Sequence, residues 1–367
     1  MKAIYLLSRS DLYSGAERML AVLCQALKEI NTDQGLYLLG ASPQLLNKCA
    51  SYANCIKVPP LKKVSSNPLR LLWFFLSGLR YINAFFKDKK QDIYIFNDLE
   101  SLVSAWPHAL CQRSFFYLHD SHNLERMKGL LVCKLISVLV DKIIVITNGR
   151  KTKLSHAGIK NTFFLANCID PDSYLDTFER EIIKNEIHCV CISQITAWKR
   201  LDKAISVFKS LAEHAHGFSC FLHIYGRANP DDKQGMDILD NIMNESIRDP
   251  RITYHGYTNN SGEVYNKASI IISMSYNEPF GLVLVEALNS GCYIISSMGE
   301  GPNEIITNQH VGMCIEEGEN IDSWFDKNLP VIMSEIMKSA EYRMMYGRNF
   351  SFENYKLKLK STELIKL

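Results

Sequence analysis

Short runs of β-branched and aliphatic residues alternate along the chain with longer stretches whose apolar positions recur every three to four residues. That alternation predicts a parallel α/β architecture, with strands joined by crossover helices. Strands are expected at 2–8, 35–39, 92–96, 115–118, 142–147 and 162–165, and then at 187–193, 219–225, 251–255, 269–273 and 292–296. Helices are expected at 16–29, 200–213, 281–289 and from 322 onward. Each half is its own strand–helix series. The break falls near 168–186, where Ile169-Asp170-Pro171-Asp172-Ser173 reads as a turn, because Asp and Pro favour turns. The domains expected are therefore 1–172 and 173–349. Two nucleotide-fold halves facing each other would place ligands at the strand C-termini, in a cleft between domains.

Composition narrows the class. The chain has 367 residues, 47% hydrophobic and 22% charged, which excludes disorder, collagen-like repeats and coiled coil. A net charge of +2 gives no global pull toward nucleic acid. The eleven cysteines are odd in number and include no C-x-x-C pair. They read as buried thiols acting as small hydrophobes in a reducing compartment. Asp170 and Asp172 form a D-x-D pair, but turn chemistry explains it better than a metal, and no metal or other cofactor is expected. The N-terminal apolar run is too short for a signal peptide, and no apolar stretch reaches the ~18 residues of a spanning helix. The expected location is cytoplasmic.

Charge is uneven along the chain. Residues 57–90 carry eight Lys or Arg against one acid, Asp88. Asn67-Pro68 suits a helix start, and the stretch that follows holds Trp73, Phe74, Phe75, Tyr81, Phe85 and Phe86. Lys62, Lys63, Arg70, Arg80, Lys87, Lys89 and Lys90 flank or interrupt it. Part of this apolar surface must pack on the sheet. The excess of aromatics among cations fits a face lying on an anionic membrane, and a peripheral membrane position is expected. No nucleic-acid motif accompanies the basic patch.

The sharpest chemical constellation is Tyr276-Asn277-Glu278-Pro279-Phe280-Gly281-Leu282-Val283-Leu284-Val285-Glu286-Ala287. A strand leads into this loop, and Pro279 and Gly281 mark its turn into a helix. The helix start leaves the N–H groups of Gly281, Leu282 and Val283 without intrahelical partners, an anion site reinforced by the helix dipole. Gly281 lets a ligand approach the backbone. Glu278 at the mouth and Glu286 about one and a half turns inside could hold two hydroxyl-bearing parts of one ligand. The alternative makes Glu286 a solvated helix acid and Glu278 a loop acid. His119 follows the apolar run 115–118, with Asp120 and His122 next to it, so it lies at a strand C-terminus, where functional side chains collect. Gly15 stands at another strand-to-helix turn.

Glu278 and Glu286 with Pro-Phe-Gly between them resemble the donor-site signature of retaining glycosyltransferases of family four, which have the two-Rossmann GT-B architecture. Other segments agree in order. They are Ser14-Gly15-Ala16-Glu17-Arg18, Asn167-Cys168-Ile169-Asp170, Ile192-Ser193-Gln194 through Lys199-Arg200-Leu201-Asp202, Gly301-Pro302-Asn303-Glu304-Ile305-Ile306 and Phe350-Ser351-Phe352-Glu353. The resemblance implies an acceptor-binding first domain, on which the C-terminal helix 350–367 packs, and a donor-binding second domain.

By the same resemblance Glu278 contacts the donor sugar, Glu286 binds the nucleotide ribose, and Lys199 neutralises the diphosphate. His119 lies near the reacting sugar or the acceptor. Gly15, Ser193, Gln194, Gly226, Tyr257, Phe280, Gly281, Leu282 and Val283 complete the implied donor site. One departure stands out: Gln194 occupies the place of the family's second cation, an arginine. Arg200 and Arg227 are the candidates to supply the missing charge.

The implied activity is sugar transfer, with retention, from a nucleotide-diphosphate sugar to an acceptor hydroxyl. The Gly-Pro-x-Glu element leans the donor toward UDP, and the basic helix leans the acceptor toward a lipid-linked saccharide of bacterial lipopolysaccharide or capsule. The rivals are a non-catalytic nucleotide-sugar-binding protein and a sugar-nucleotide epimerase of the same architecture.

Overall fold

A computed structural model describes residues 3–30, 34–61, 76, 92–119, 127–173, 185–362 and 364. The basic segment holding Lys62, Lys63, Arg70, Trp73, Arg80, Lys87, Lys89 and Lys90 lies outside these residues, as do Asp120 and His122. The chain divides into two compact units. One comprises Met1–Asp170 with Phe352–Leu367, the other Pro171–Ser351. The sequence-based boundaries differ from these by two residues at each crossing.

The first unit holds a seven-stranded sheet in the order β3-β2-β1-β4-β5-β6-β7. Its strands are β1 (Ala3–Ser8), β2 (Gly35–Gly40), β3 (Asn54–Lys57), β4 (Ile93–Phe96), β5 (Arg113–Leu118), β6 (Lys142–Val145) and β7 (Thr162–Phe164). Every pairing is parallel, which is why the central strands read as unbroken hydrophobic runs. Among the described residues the helices include α1 (Gly15–Ile30), α2 (Pro43–Cys49), α3 (Leu99–Ser104), α4 (Trp106–Cys111) and α5 (Met127–Leu139). They are followed by α6 (Asn148–His156).

Helix starts follow the local sequence. Ser14-x-x-Glu17 closes a capping box on α1, with the Ser14 amide donating to Glu17 Oε2 at 3.0 Å. Asp98 caps α3 by accepting from the Ser101 amide at 2.7 Å. Asp170 is buried and takes Lys48 Nζ at 2.6 Å with Arg18 Nε at 3.9 Å. Its carboxylate therefore ties the end of this unit to α1 and α2.

The second unit holds a six-stranded sheet in the order β10-β9-β8-β11-β12-β13. Its strands are β8 (Glu186–Ile192), β9 (Ser219–Tyr225), β10 (Ile252–Gly256), β11 (Ile270–Ser273), β12 (Tyr293–Ser297) and β13 (Gly312–Ile315), again all parallel. Its helices are α7 (Leu201–His214), α8 (Lys233–Arg248), α9 (Ser261–Asn266), α10 (Leu282–Asn289), α11 (Glu300–Ile305), α12 (Ile321–Lys338) and α13 (Ala340–Gly347). One core face joins Ile187, Cys189, Cys191, Leu222 and Ile224 to Phe208, Leu211 and Phe325. Cys189 and Cys191 thus share one strand face as buried hydrophobes.

The last helix, α14 (Phe352–Ser361), belongs to the first unit. Lys356 Nζ lies 2.6 Å from Glu29 Oε2 of α1. Tyr355 is buried with its hydroxyl 3.4 Å from that of Tyr117, which donates to Asn167 at 3.2 Å. The chain therefore returns to its starting unit. No helix among the described residues is long and apolar enough to cross a membrane.

Two strands escape the sequence pattern. Both β3 and β13 are four-residue edge strands. Edge position leaves β3 mostly exposed, so its residues carry no apolar period.

Candidate functional site

In each sheet the chain begins near the middle and winds first one way and then the other. Doubly wound sheets bind ligands beyond the strand C-termini at that reversal. In the second unit the reversal lies between β8 and β11, and the loops leaving these two strands carry Lys199 and Glu278.

The β8 loop runs through Ser193, Gln194 and Thr196 into a short 3₁₀ turn, Ala197–Lys199. Arg200 then adopts a left-handed conformation, φ 50°, and opens α7. The β11 loop passes Asn277, φ 51°, and Gly281, φ 95°, before entering α10. The two loops are bonded together: the Tyr276 amide donates to the Trp198 carbonyl at 2.7 Å. Beside that bond, Lys199 Nζ donates to Glu278 Oε2 at 2.6 Å, with side chains only 15% and 10% exposed. The ammonium also lies 3.9 Å from the centre of the Trp198 ring, a cation–π contact that holds it over the loop.

The β12 side buttresses Glu278. The Gly301 amide donates to the Glu278 carbonyl at 3.1 Å. A Cβ at Gly301 would come 2.0 Å from the Phe280 carbonyl oxygen, so only glycine permits this approach. The Gly301-Pro302 element thus supports the loop from behind. Phe280 turns its side chain into the core, edge-on to Phe350 at 6.1 Å between centroids. Its ring anchors the loop, so any part Phe280 takes in a donor site falls to its backbone.

Helix α10 begins at Gly281, and the amides of Leu282 and Val283 stand in its first turn, where no intrahelical acceptor exists. Glu286 is buried, with the Tyr265 hydroxyl donating to its Oε2 at 3.5 Å. The reading of Glu286 as a solvated helix acid is therefore overturned. Two carboxylates, one half-buried cation and an open helix start together suit a ligand with both anionic and polyhydroxyl parts.

The β8 and β9 loops also run together. Ser193 donates its amide to Tyr225, and Ile195 to Arg227, at 3.1 and 3.0 Å. Gly226 sits so close that a Cβ there would meet the Ser193 carbonyl oxygen at 1.9 Å. Gln194 and Tyr257 are exposed, and Arg227 stacks over the Tyr257 ring at 4.7 Å. Arg200 binds Glu317 through both terminal nitrogens, at 2.7 and 3.0 Å. Arg200 is thus already committed to a carboxylate.

In the first unit, His119 follows β5 and places Nε2 2.9 Å from Asn97 Oδ1, its ring against Tyr117 at 3.9 Å. Burial holds this imidazole down at about 3, so it is neutral at physiological pH. Asp98, next to Asn97 in the chain, is pushed up to about 6 by burial, against hydrogen bonds from Ser101, Arg9 and Ser8. Gly15 opens α1 and is exposed. Sequence reading passed over Trp198, the packing of Gly301 behind the Glu278 loop and the Tyr276–Trp198 bond. Trp198 was legible as an aromatic beside Lys199, whereas the other two exist only in three dimensions.

Residues 175–349 match the family described as glycosyl transferases group 1. The chain is 26% identical over 203 residues to a poly(glycerol-phosphate) alpha-glucosyltransferase of Bacillus subtilis (strain 168), covering 54% of this chain and 29% of that protein. The chain thus spans less than a third of the length of this curated relative. Among solved structures it superposes on Anabaena HepE in complex with UDP and glucose, with a TM-score of 0.72, 18% identity and 100% of both chains covered. It also superposes on the apo lipopolysaccharide outer core galactosyltransferase WaaB, with a TM-score of 0.71, 17% identity and 100% of both chains. The fold is that of these two-domain glycosyltransferases. The family match covers the unit in which Lys199, Glu278 and Glu286 were found.

Proposed function

We propose that the protein is a retaining glycosyltransferase that moves a sugar from a UDP-sugar to an acceptor hydroxyl. The observation that carries this reading is the Lys199–Glu278 pair, 2.6 Å apart at the open start of α10. In this reading the α10 amides and Lys199 receive the diphosphate. They stabilise the charge that develops on it as the sugar bond breaks, and such preorganised electrostatics are usually the largest catalytic contribution. Glu278 positions the sugar, and Glu286 accepts from the ribose diol. Charge on the leaving group is met by side-chain and backbone donors, so the transfer runs without a metal. The alpha linkage named for the Bacillus relative and the UDP bound to HepE favour a retaining, UDP-dependent reaction. His119 serves the first unit as a neutral hydrogen-bonding group at the acceptor or donor sugar.

The acceptor in this reading is a lipid-linked saccharide of a bacterial surface polysaccharide, lipopolysaccharide or capsule included, reached from the cytoplasmic face of the membrane. Helix α5 supports the membrane part. Met127 is 88%, Val138 77%, and Leu131 and Leu135 each 58% exposed. They recur at helical spacing on one stripe, with Lys128 and Lys134 also exposed. From Met127 to Lys160 the chain carries seven Lys or Arg and one acid, Asp141. An apolar stripe among cations suits an anionic lipid surface.

The test is incubation with radiolabelled UDP-sugars and a bacterial lipid-linked oligosaccharide fraction. Label entering the acceptor, lost in Glu278→Gln, is the expected result. A changed nucleotide sugar with no acceptor present would favour an epimerase. Binding without turnover would favour a non-catalytic binding protein.

A further inference from the structure

The donor site as proposed lacks its second cation, because Gln194 stands where the resemblance calls for arginine. Two nearby arginines could replace it, and the structure separates them. Arg200 is clamped by Glu317, which Lys203 also approaches at 3.6 Å. Arg227 makes no ion pair among the described residues, and its guanidinium rests on Tyr257, an uncharged ring.

Register decides where Arg227 stands. Ile192 pairs with Tyr225 at the end of the β8–β9 ladder. Beyond the named strands, Ile195 pairs with Ala228 in the same parallel offset. Gln194 is therefore the cross-strand neighbour of Arg227. Neighbours in register project to the same side of a sheet, a few ångströms apart at Cβ. The amides of Ser193 and Ile195 hold this register through Tyr225 and Arg227, and Gly226 lets the two backbones close up. The same loop carries two buried hydroxyls, Ser193 Oγ and Thr196 Oγ1, with no hydrogen-bond partner among the described residues. Unsatisfied buried donors are costly and commonly mark a place where a ligand completes the bonding.

We infer that Arg227 has taken over, from the adjacent strand, the diphosphate-binding role of the arginine missing at 194. The inference rests on the donor-site reading above. The cation has moved one strand sideways while keeping its side and its level in the sheet. Tyr257 stacks the guanidinium so that its hydrogen-bonding edges stay free, and Lys199 supplies the second charge. A planar guanidinium can bind two phosphate oxygens at once, which glutamine cannot do.

The test measures UDP binding by calorimetry on the full chain in four forms: wild type, Arg227→Ala, Arg227→Ala with Gln194→Arg, and Glu286→Gln. The expected pattern is a loss of about tenfold or more for Arg227→Ala, largely recovered when Gln194→Arg returns the cation to the other strand. Melting temperatures without nucleotide should stay alike, since Arg227 is exposed. If Arg227→Ala binds UDP as wild type does, or if Gln194→Arg fails to rescue it, the inference is overturned. Loss in Glu286→Gln would in that case leave the donor-site reading intact. If wild type binds neither UDP nor any other nucleoside diphosphate, the donor-site reading itself falls, and this inference falls with it.

Discussion

Lys199 and Glu278 come from loops on different strands and meet at 2.6 Å, beside a backbone bond from Tyr276 to Trp198 that joins the same loops. The pair is therefore held on both sides before any ligand arrives, which keeps reorganisation small when charge develops. Lys199→Met should lower the turnover number by on the order of 100-fold. Steady-state kinetics with saturating donor check this, and a change confined to KM would assign Lys199 to binding alone.

Gly301 contacts the loop from behind, so it tests support apart from chemistry. Gly301→Ala forces a Cβ to 2.0 Å from the Phe280 carbonyl, and relieving the overlap costs about 1–3 kcal/mol. A fall in melting temperature of roughly 2–4 °C for each kcal/mol is expected, with weaker nucleotide binding. Calorimetric melting and nucleotide titration of the same sample measure both.

His119 makes an acid-stability prediction. Its folded value is held at about 3 by burial, below the ordinary ~6.5 of the unfolded chain. As pH falls below ~6.5 the unfolded chain takes up the proton first. The stabilisation from this neutral imidazole is therefore complete above that pH and is lost on the way down to about 3. Asp98, pushed up to about 6, acts oppositely, since its protonation in the fold adds stability as pH falls below that value. Wild type sums the two. His119→Gln removes only the first, so denaturant titrations from pH 7 to 4 should show the variant gaining stability relative to wild type on acidification.

The α5 stripe predicts membrane binding that is separable from the donor site. Leu131→Glu with Leu135→Glu should lower co-sedimentation with anionic vesicles several-fold, because each Glu replaces apolar contact with a charge of the wrong sign. Nucleotide binding should be unchanged. Equal binding of wild type to neutral and anionic vesicles would remove the electrostatic part of the account.

Much of this was legible in the chain because parallel α/β structure writes itself as alternating periods. The strands, the turn at Asp170-Pro171 and the entry into α10 at Gly281 are local signals. The edge strand β3 was missed because, largely exposed, it lacks the apolar run that burial on both faces imposes on central strands, and β13 is only four residues long and opens on a glycine. The motif places Phe280 in the loop but cannot say that its ring turns inward against Phe350. The engagement of Arg200 with Glu317 joins residues far apart in sequence, and no periodicity reports such a pair. The register between Gln194 and Arg227 likewise appears only once β8 and β9 are laid side by side.

The central claim is that the Glu278–Glu286 segment holds a nucleotide. A thermal-shift panel of UDP, GDP, ADP, CMP and NAD on wild type and Glu286→Gln tests it most directly. A ligand at 100 times its dissociation constant stabilises by ~2.7 kcal/mol, enough for a shift of several degrees. The account predicts a shift with UDP that disappears in Glu286→Gln. No shift with any nucleoside diphosphate, or one that survives in the variant, would contradict it.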